Sequence, residues 1–228
     1  METVLQFDTI DYYYMSGEQK ISILEQASYD FTDHKLYTIV GPSGSGKTTS
    51  LFLAGALEKP RSGRVLYKGK DLSEIGLNNY RNQKIGIVFQ SYNLLTYFTP
   101  LKNVLAAMDI TKNNIPNKKQ RAEELLSRMG LTKNQINRKT TKLSGGEQQR
   151  VAIARALATD AEIILADEPT GNLDIDTAKE IIGLFQELAH EYKKCVIAVT
   201  HSEEFANAAD EVVCLKDHKF AKRKINSI

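Results

Sequence analysis

One eight-residue segment limits what this chain can fold into more than any other part of its sequence. Residues 41–48 read Gly-Pro-Ser-Gly-Ser-Gly-Lys-Thr, which matches the pattern G-x-x-x-x-G-K-[ST] at every position. The β-rich run 36–40 precedes this segment, and a stretch of helical character, 48–57, follows it. A strand, a glycine-rich loop and a helix in this order predict a phosphate-binding loop within an α/β fold.

The residue types of the loop explain why it would bind a nucleotide. Glycines let the backbone curl so that successive N–H groups point at phosphate oxygens, and the following helix adds its positive N-terminal end. We expect Lys47 to reach the β- and γ-phosphates and to have no partner until phosphate arrives. We expect Thr48 to offer its hydroxyl to Mg²⁺. The predicted nucleotide-binding residues of the loop are Gly41, Pro42, Ser43, Gly44, Ser45, Gly46, Lys47, Thr48 and Thr49.

A second candidate element is an apolar strand that ends in two carboxylates. Residues 163–168 read Ile-Ile-Leu-Ala-Asp-Glu, and ligands of open α/β sheets bind at the carboxyl ends of strands. We expect Asp167 to hold Mg²⁺, through water, and Glu168 to polarise the water that attacks the γ-phosphate. Taken alone, the same residues would more often form a strand end followed by a solvated turn.

A third element is the segment 143–147, Leu-Ser-Gly-Gly-Glu, which precedes a predicted helix. Ser144 and Glu147 have the spacing of a capping box, in which each side chain binds the other residue's backbone N–H. The hydroxyl of Ser144 and the N–H groups of Gly145 and Gly146 can also face an anion. A helix cap and an anion site are compatible, because a capped helix N-terminus itself attracts anions.

Composition excludes several classes of protein. The chain has 228 residues, a formal net charge of +2, 42% hydrophobic residues and two cysteines. These values are typical of a globular protein and exclude a strongly basic nucleic-acid-binding domain, a disordered chain and a disulfide framework. Both cysteines, Cys195 and Cys214, lie in apolar runs, so we expect buried thiols. No apolar run reaches 18 residues, so we expect another subunit to span any membrane at which the chain works.

The order of the sequence patterns predicts an α/β core with a helical insert. The first forty residues predict short antiparallel strands, with turns at 16–17 and 33–34. The apolar runs 163–166, 196–199 and 212–215, separated by amphipathic helices, predict parallel strands covered on both faces. We therefore predict a nucleotide-binding core with an antiparallel β subdomain from residues 1–90 and 161–228, and a helical subdomain from residues 91–160.

The three motifs together resemble the ATP-binding subunit of ABC transporters. The Leu-Ser-Gly-Gly segment follows the loop by about 100 residues, and the Asp-Glu strand end lies about 20 residues further on. The resemblance extends over nearly the whole chain, from about Val4 to Leu215. It implies a P-loop ATPase core that binds ATP and Mg²⁺ and works as a homodimer on membrane permease subunits.

The resemblance also assigns roles that the residues alone do not. It implies that Gln90 senses Mg²⁺ and the attacking water, that His201 contacts the γ-phosphate, and that Asp174 crosses a dimer interface. Tyr14 resembles the aromatic residue that stacks on adenine, although Tyr12 and Tyr13 are alternatives. The predicted catalytic residues are Lys47, Gln90, Glu168 and His201; the predicted metal-binding residues are Thr48, Gln90 and Asp167; and the predicted nucleotide contacts outside the loop are Tyr14, Ser144, Gly145, Gly146, Glu147 and Asp174.

One position departs from the family's commonest pattern, because Glu147 stands where many members have glutamine. This variant is common in the family, and we expect an active ATPase. Segments 89–95 and 167–174 resemble the group that serves macrolide export, lipoprotein release, antimicrobial-peptide resistance and cell division. We therefore expect export or mechanical work at the cytoplasmic face of a membrane, and no nucleic-acid partner.

Three other functions are weighed against this one. The first is an importer ATPase for a small nutrient, against which the Gly-Asn-Leu-Asp segment and the lack of an extra C-terminal domain count weakly. The second is a soluble ABC protein acting on DNA or ribosomes, whose inserts, zinc modules or paired ATPase units do not fit into 228 residues. The third is a nucleotide-binding module that does not hydrolyse ATP, which would require a damaged Glu168 or His201.

Overall fold

The computed structural model describes residues 1–111 and 115–223, which contain two β-sheets and nine α-helices. The strands are β1 (Thr3–Ser16), β2 (Gln19–Thr32), β3 (Lys35–Val40), β4 (Ser62–Tyr67), β5 (Lys70–Asp71), β6 (Ile85–Val88), β7 (Ile163–Asp167), β8 (Cys195–Val199), β9 (Glu211–Lys216) and β10 (Lys219–Lys222). The helices are α1 (Lys47–Ala54), α2 (Leu72–Ile75), α3 (Leu77–Gln83), α4 (Pro100–Ile110), α5 (Lys118–Arg128), α6 (Lys133–Asn137), α7 (Gly145–Leu157), α8 (Ile175–His190) and α9 (Glu203–Asn207). A 3₁₀ turn, Thr140–Lys142, precedes α7.

The larger sheet has six strands in the order β10-β9-β3-β8-β7-β6. Strands β9, β3, β8, β7 and β6 are parallel, and only β10 pairs antiparallel with its neighbour. All four residues from Ile163 to Ala166 are fully buried, as expected for a strand covered on both faces. The predicted parallel sheet is therefore confirmed, and its carboxyl edge carries the residues that follow β3, β6, β7 and β8.

The smaller sheet is antiparallel, in the order β2-β1-β4-β5. Its first two strands have 14 residues each, so the expectation of short strands was wrong. Their pairing shifts register four times between Thr3 and Tyr13. Each bulge inserts an extra residue and interrupts the period-two alternation. One long strand therefore has the sequence pattern of several short ones.

Two hydrophobic clusters cover the two faces of the larger sheet. Adjacent residues of β7 point in opposite directions: Ile164 packs with the helices on one side, whereas Leu165 packs with α1 and the smaller sheet on the other. The alternation repeats in β8, where Val196 and Ile197 belong to different clusters. This layered packing holds α1 on one face of the larger sheet, with the loop before it at the carboxyl edge.

Helices α4 to α7 lie between β6 and β7 in the chain, within the segment predicted to be helical. Gly86 of β6 approaches α7 so closely that an added Cβ would lie 2.7 Å from the carbonyl oxygen of Ala156. Helix α7 therefore packs against β6, the outermost strand of the larger sheet, as well as against its neighbouring helices. The division into subdomains at residues 90 and 160 stays a prediction, and positions 112–114 and 224–228 of those ranges lie outside the described residues.

The remaining differences from the sequence expectations are local. Helix α1 ends at Ala54 rather than at residue 57, because Ala56 takes a left-handed φ of 53° that a helix cannot continue through. Helices α2, α6 and α9 have four or five residues, too few to show a helical period. Cys195 is fully buried, which raises the pKa of its thiol, but Cys214 is only half-buried, contrary to expectation. In the described ranges, no helix is long and apolar enough to cross a membrane.

Candidate active site

The glycine-rich loop connects β3 to α1 at the carboxyl edge of the larger sheet. Gly44 and Gly46 have positive φ values of 76° and 98°, which favour glycine. A Cβ on Gly46 would also lie 2.3 Å from Cγ2 of Ile23, so the loop packs directly on β2. Backbone geometry and this close approach together explain why the loop requires glycine at position 46.

Lys47 has hydrogen-bond partners within the loop. Its ammonium donates to the carbonyl oxygens of Gly41 and Pro42 at 3.0 and 2.9 Å, so the expectation that it lacks a partner before phosphate arrives was wrong. Burial lowers the pKa of Lys47, while the nearby carboxylates of Glu168 and Asp167 act in the opposite direction. The charge is thus held over the loop in a poorly solvated position, where an anionic ligand would stabilise it.

Thr48 and Asp167 bring two oxygen ligands together across the cleft. The hydroxyl of Thr48 donates to Oδ1 of Asp167 at 3.2 Å. Burial raises the pKa of Asp167, and the neighbouring carboxylate of Glu168 adds to that effect. A hydroxyl and a partly buried carboxylate are ligands of the kind that Mg²⁺ takes from proteins that bind nucleotide phosphates. These two residues therefore fit the expected metal.

Glu168 occupies an unusual backbone conformation at the end of β7. Its φ is 45°, and its N–H donates to the carbonyl of Val199 at 2.9 Å. Its carboxylate accepts a hydrogen bond from the backbone N–H of His201 at 3.2 Å and lies 3.6 Å from Nε2 of that histidine. Left-handed conformations of non-glycine residues cost free energy and occur often at functional sites. Here the carboxylate of Glu168 lies against His201, two residues after the end of β8.

The loop, Glu168 and His201 line a common cleft of about 270 Å³, and Asp167 contacts its wall through Thr48. Its walls are Tyr14, Ile23, Ser43, Gly44, Gly46, Lys47, Thr48, Thr49, Glu168 and His201. Of these, only Ile23 was not anticipated; its apolar side chain gave no chemical signal, and its role comes from packing under Gly46. The structure thus brings the loop, the Asp-Glu strand end and the histidine to one place.

The structure also separates the three consecutive tyrosines of β1. Tyr12 is 8% exposed and belongs to the core, and Tyr13 lies under the ammonium of Lys20, which is 4.4 Å from its ring centre. Tyr14 is 47% exposed and lines the phosphate cleft. Among the three, Tyr14 has the free aromatic face nearest the loop.

Gln90 lies beside the cleft rather than in its wall. Its side-chain amide donates to Oδ1 of Asn172 at 3.4 Å, and the amide of Asn172 donates back to the carbonyl of Gln90 at 3.1 Å. A Cβ on Gly171 would lie 2.9 Å from Nε2 of Gln90, and the N–H of Gly171 donates to the carbonyl of Glu168. Gln90 therefore contacts the turn that follows Glu168. Asn172 was given no role from sequence, since an asparagine in a turn is common.

The Ser-Gly-Gly segment forms a second group of predicted residues. Ser144 caps α7: its hydroxyl accepts from the N–H of Glu147 at 3.3 Å, and the Glu147 carboxylate accepts from the N–H of Ser144 at 2.8 Å. A Cβ on Gly146 would lie 2.4 Å from Cγ2 of Thr177, so α7 and α8 begin in close contact. No residue of the segment is among those that line the phosphate cleft.

Asp174 belongs to this second group. It caps α8 by accepting from the N–H and the hydroxyl of Thr177 at 3.0 and 2.7 Å, and the backbone hydrogen bond lowers the pKa of its carboxyl. Ile175, the next residue, is 71% exposed. The predicted site residues thus form two groups, a phosphate cleft and an exposed pair of helix starts.

Comparison with known protein families and curated proteins gives one consistent result. Residues 24–171 match the family model described as ABC transporter. The chain is 48% identical over 222 residues to an uncharacterized ABC transporter ATP-binding protein, YclH, of Bacillus subtilis, covering 97% of each chain. It is 40% identical over 213 residues to a lipoprotein-releasing system ATP-binding protein, LolD 2, of Chlorobium chlorochromatii, covering 90% of this chain and 88% of the relative.

The structure is similar to a solved cassette of the same kind. It matches the dimeric, post-hydrolysis structure of the ATP-binding cassette MJ0796 bound to ADP and Pi, with a TM-score of 0.87 and 35% sequence identity. The match covers 98% of this chain and 100% of that one. The likeness extends over the antiparallel sheet, the core and the helical region together.

Proposed function

The chain belongs to the ABC transporter ATP-binding family, and we propose that it powers export or mechanical work through a separate membrane permease. As a member of that family it is an ATP-binding subunit that hydrolyses ATP. The proposal of export is supported by its 40% identity to a protein named for lipoprotein release. The observation that carries the catalytic part is the meeting of Lys47, Glu168 and His201 in one cleft.

Within that cleft, each residue is proposed to have a distinct task. The backbone N–H groups of the loop and the ammonium of Lys47 bind the phosphates, with Tyr14 against the adenine. Thr48 and Asp167 hold Mg²⁺, which supplies positive charge to the β- and γ-phosphates when bound. Glu168 accepts a proton from the attacking water, and His201 is held beside it for contact with the γ-phosphate. Gln90, which lies beside the cleft, senses the bound Mg²⁺ and the attacking water on the side where the permease docks.

The two groups of site residues favour a head-to-tail homodimer. Ser144 lies at the start of a 13-residue helix, exposed, and outside the phosphate cleft of its own chain. A helix start of this kind attracts phosphate. In a dimer with two-fold symmetry, the Ser144 segment of each chain would close on the phosphate cleft of the other. Asp174, beside it on α8, would lie in the same interface.

The substitution Ser144→Arg tests this arrangement. If Ser144 only caps α7, its loss costs about 1 kcal/mol of stability and leaves hydrolysis intact. If it faces the partner's nucleotide, the long side chain blocks closure. We expect the second result: a folded chain that still binds ATP but hydrolyses it no faster than an isolated monomer. Circular dichroism, ATP binding and phosphate release are the measurements.

Thr132→Arg is the matched control, because Thr132 caps α6 with the same capping-box geometry and is also exposed. We expect this variant to keep its ATPase activity. A mixture of Ser144→Arg and Lys47→Ala chains adds a further check. In a mixed dimer, the intact Lys47 loop of the first chain faces the intact Ser144 segment of the second. We expect this one complete site to recover part of the turnover. Normal hydrolysis by the Ser144→Arg chain would contradict a Ser144 segment that acts across the interface.

The proposed membrane partner has its own test. We expect the chain in its native cells to sediment with the membrane fraction and, after mild detergent, to purify with an integral membrane protein. The same chain produced alone in a foreign host should stay in the supernatant, because its proposed permease partner is not present there. A native chain found entirely outside the membrane fraction would favour the soluble ABC function instead.

A further inference from the structure

We propose that Arg138 is a positioning residue that cancels the charge of Glu147, so that the start of α7 can receive an anionic phosphate. The inference rests on the proposed function, in which the Ser144 segment faces the nucleotide of the partner subunit. It concerns Glu147, an acidic residue in the first turn of α7. A carboxylate there places a negative charge beside a group that must bind another anion.

The contacts of Glu147 show where its charge lies. Oε2 accepts from the N–H of Ser144 at 2.8 Å and from Nη2 of Arg138 at 3.2 Å. Oε1 accepts from the side-chain amide of Gln135. The carboxylate is thus held over the first turn of α7, 22% exposed, rather than turned into solvent. The Ser144 hydroxyl, the group proposed to meet phosphate, is bonded to the same residue's N–H.

A carboxylate in this position stabilises the helix but weakens its attraction for another anion. The first turn of a helix carries a partial positive charge, which Glu147 partly neutralises. Phosphate binding at a helix start depends on that same charge. Among the described residues, Arg138 is the cation that forms an ion pair with Glu147. Its guanidinium returns the net charge of the pair to zero.

A purely structural role does not account for Arg138. The capping box is complete with Ser144 and Glu147, and Gln135 already satisfies the other carboxylate oxygen. A glutamine at position 147 would complete the capping box equally well. The Nε of Arg138 is buried without a hydrogen-bond partner, which is unfavourable. The contribution that remains for this arginine is its charge.

The test measures ATP-dependent dimerisation in a Glu168→Gln chain, in which bound ATP is not consumed. We expect Arg138→Gln to raise the ATP concentration for half-maximal dimer about tenfold, equivalent to about 1.4 kcal/mol. Adding Glu147→Gln to that variant should recover most of the tenfold loss, because the uncompensated charge is gone. Arg138→Lys, which keeps the charge, should stay close to the parent. Lys139→Gln removes a charge from the adjacent exposed residue and should change the value less than about twofold.

The outcomes separate the inference from the function on which it rests. If the Arg138→Gln, Glu147→Gln double variant dimerises as weakly as Arg138→Gln, the arginine acts through packing and the inference is wrong. An unchanged value for Arg138→Gln alone overturns it as well. If the Glu168→Gln parent forms no dimer with ATP and Mg²⁺, the proposed dimer fails first and the inference with it. A loss in Arg138→Gln that shrinks as salt is raised further supports a charge effect.

Discussion

Replacing Lys47 with alanine is expected to lower the rate of ATP hydrolysis about 100-fold or more, as removal of one preorganised donor does in other active sites. The ammonium already lies over the loop, bonded to the carbonyls of Gly41 and Pro42, and is 6% exposed. It needs only to exchange those carbonyls for phosphate oxygens, with little reorganisation. Alanine removes the ammonium from the phosphates and leaves the backbone N–H groups of the loop as their donors at this end of the cleft. Phosphate release by purified chain at saturating ATP is the measurement.

The same substitution should change the stability of the nucleotide-free chain little. Two hydrogen bonds to carbonyls are lost, but so is a buried ammonium whose pKa burial lowers. A lowered pKa means that the folded chain holds the charge less favourably than water does, so the two effects oppose each other. Lys59→Ala, at an exposed position after α1, is the control for an added alanine. Wild-type turnover in a folded Lys47→Ala chain would overturn the role given to the loop.

The fold was predictable where local chemistry and long-range packing agree. The loop at 41–48 requires a strand before it and a helix after it, and β3 and α1 are found there. The continuous apolar run 163–166 has no polar face, so it requires cover on both sides, which the two hydrophobic clusters provide. The glycine at position 46 was predictable for its backbone; its contact with Ile23 was not, because it depends on where β2 lies.

Other features depended on contacts that no local pattern contains. The bulges in β1 interrupt the alternation of apolar and polar residues, so the sequence does not reveal one long strand. The sequence predicts that Lys47 has no partner before phosphate binds. It does not reveal that two carbonyl oxygens of the same loop lie within hydrogen-bond distance of the ammonium. Likewise, Asn172 and Arg138 are ordinary polar residues in sequence. They become informative only because folding sets them against Gln90 and Glu147.

Replacing Glu168 with glutamine is expected to stop hydrolysis while preserving ATP binding. The glutamine oxygen can still accept from the N–H of His201, as the carboxylate does at 3.2 Å, so the geometry at the end of β7 should survive. The amide cannot accept a proton from water, and loss of a general base typically costs about 10²–10⁴-fold in rate. ATP should then stay bound between the two chains. Because a ligand stabilises the state that binds it, the dimer should accumulate.

Size-exclusion chromatography separates the possible results for Glu168→Gln. With ATP and Mg²⁺ we expect a dimer, and with ADP or without nucleotide a monomer. Glu203→Gln, an exposed carboxylate two residues after His201, is the matched control and should hydrolyse ATP at the wild-type rate. A Glu168→Gln chain that releases phosphate normally would remove the carboxylate from the chemistry. A chain that loses hydrolysis but never dimerises would still support Glu168 as the base. It would contradict the proposed head-to-tail dimer, because ATP held by one chain alone does not require the Ser144 segment of another.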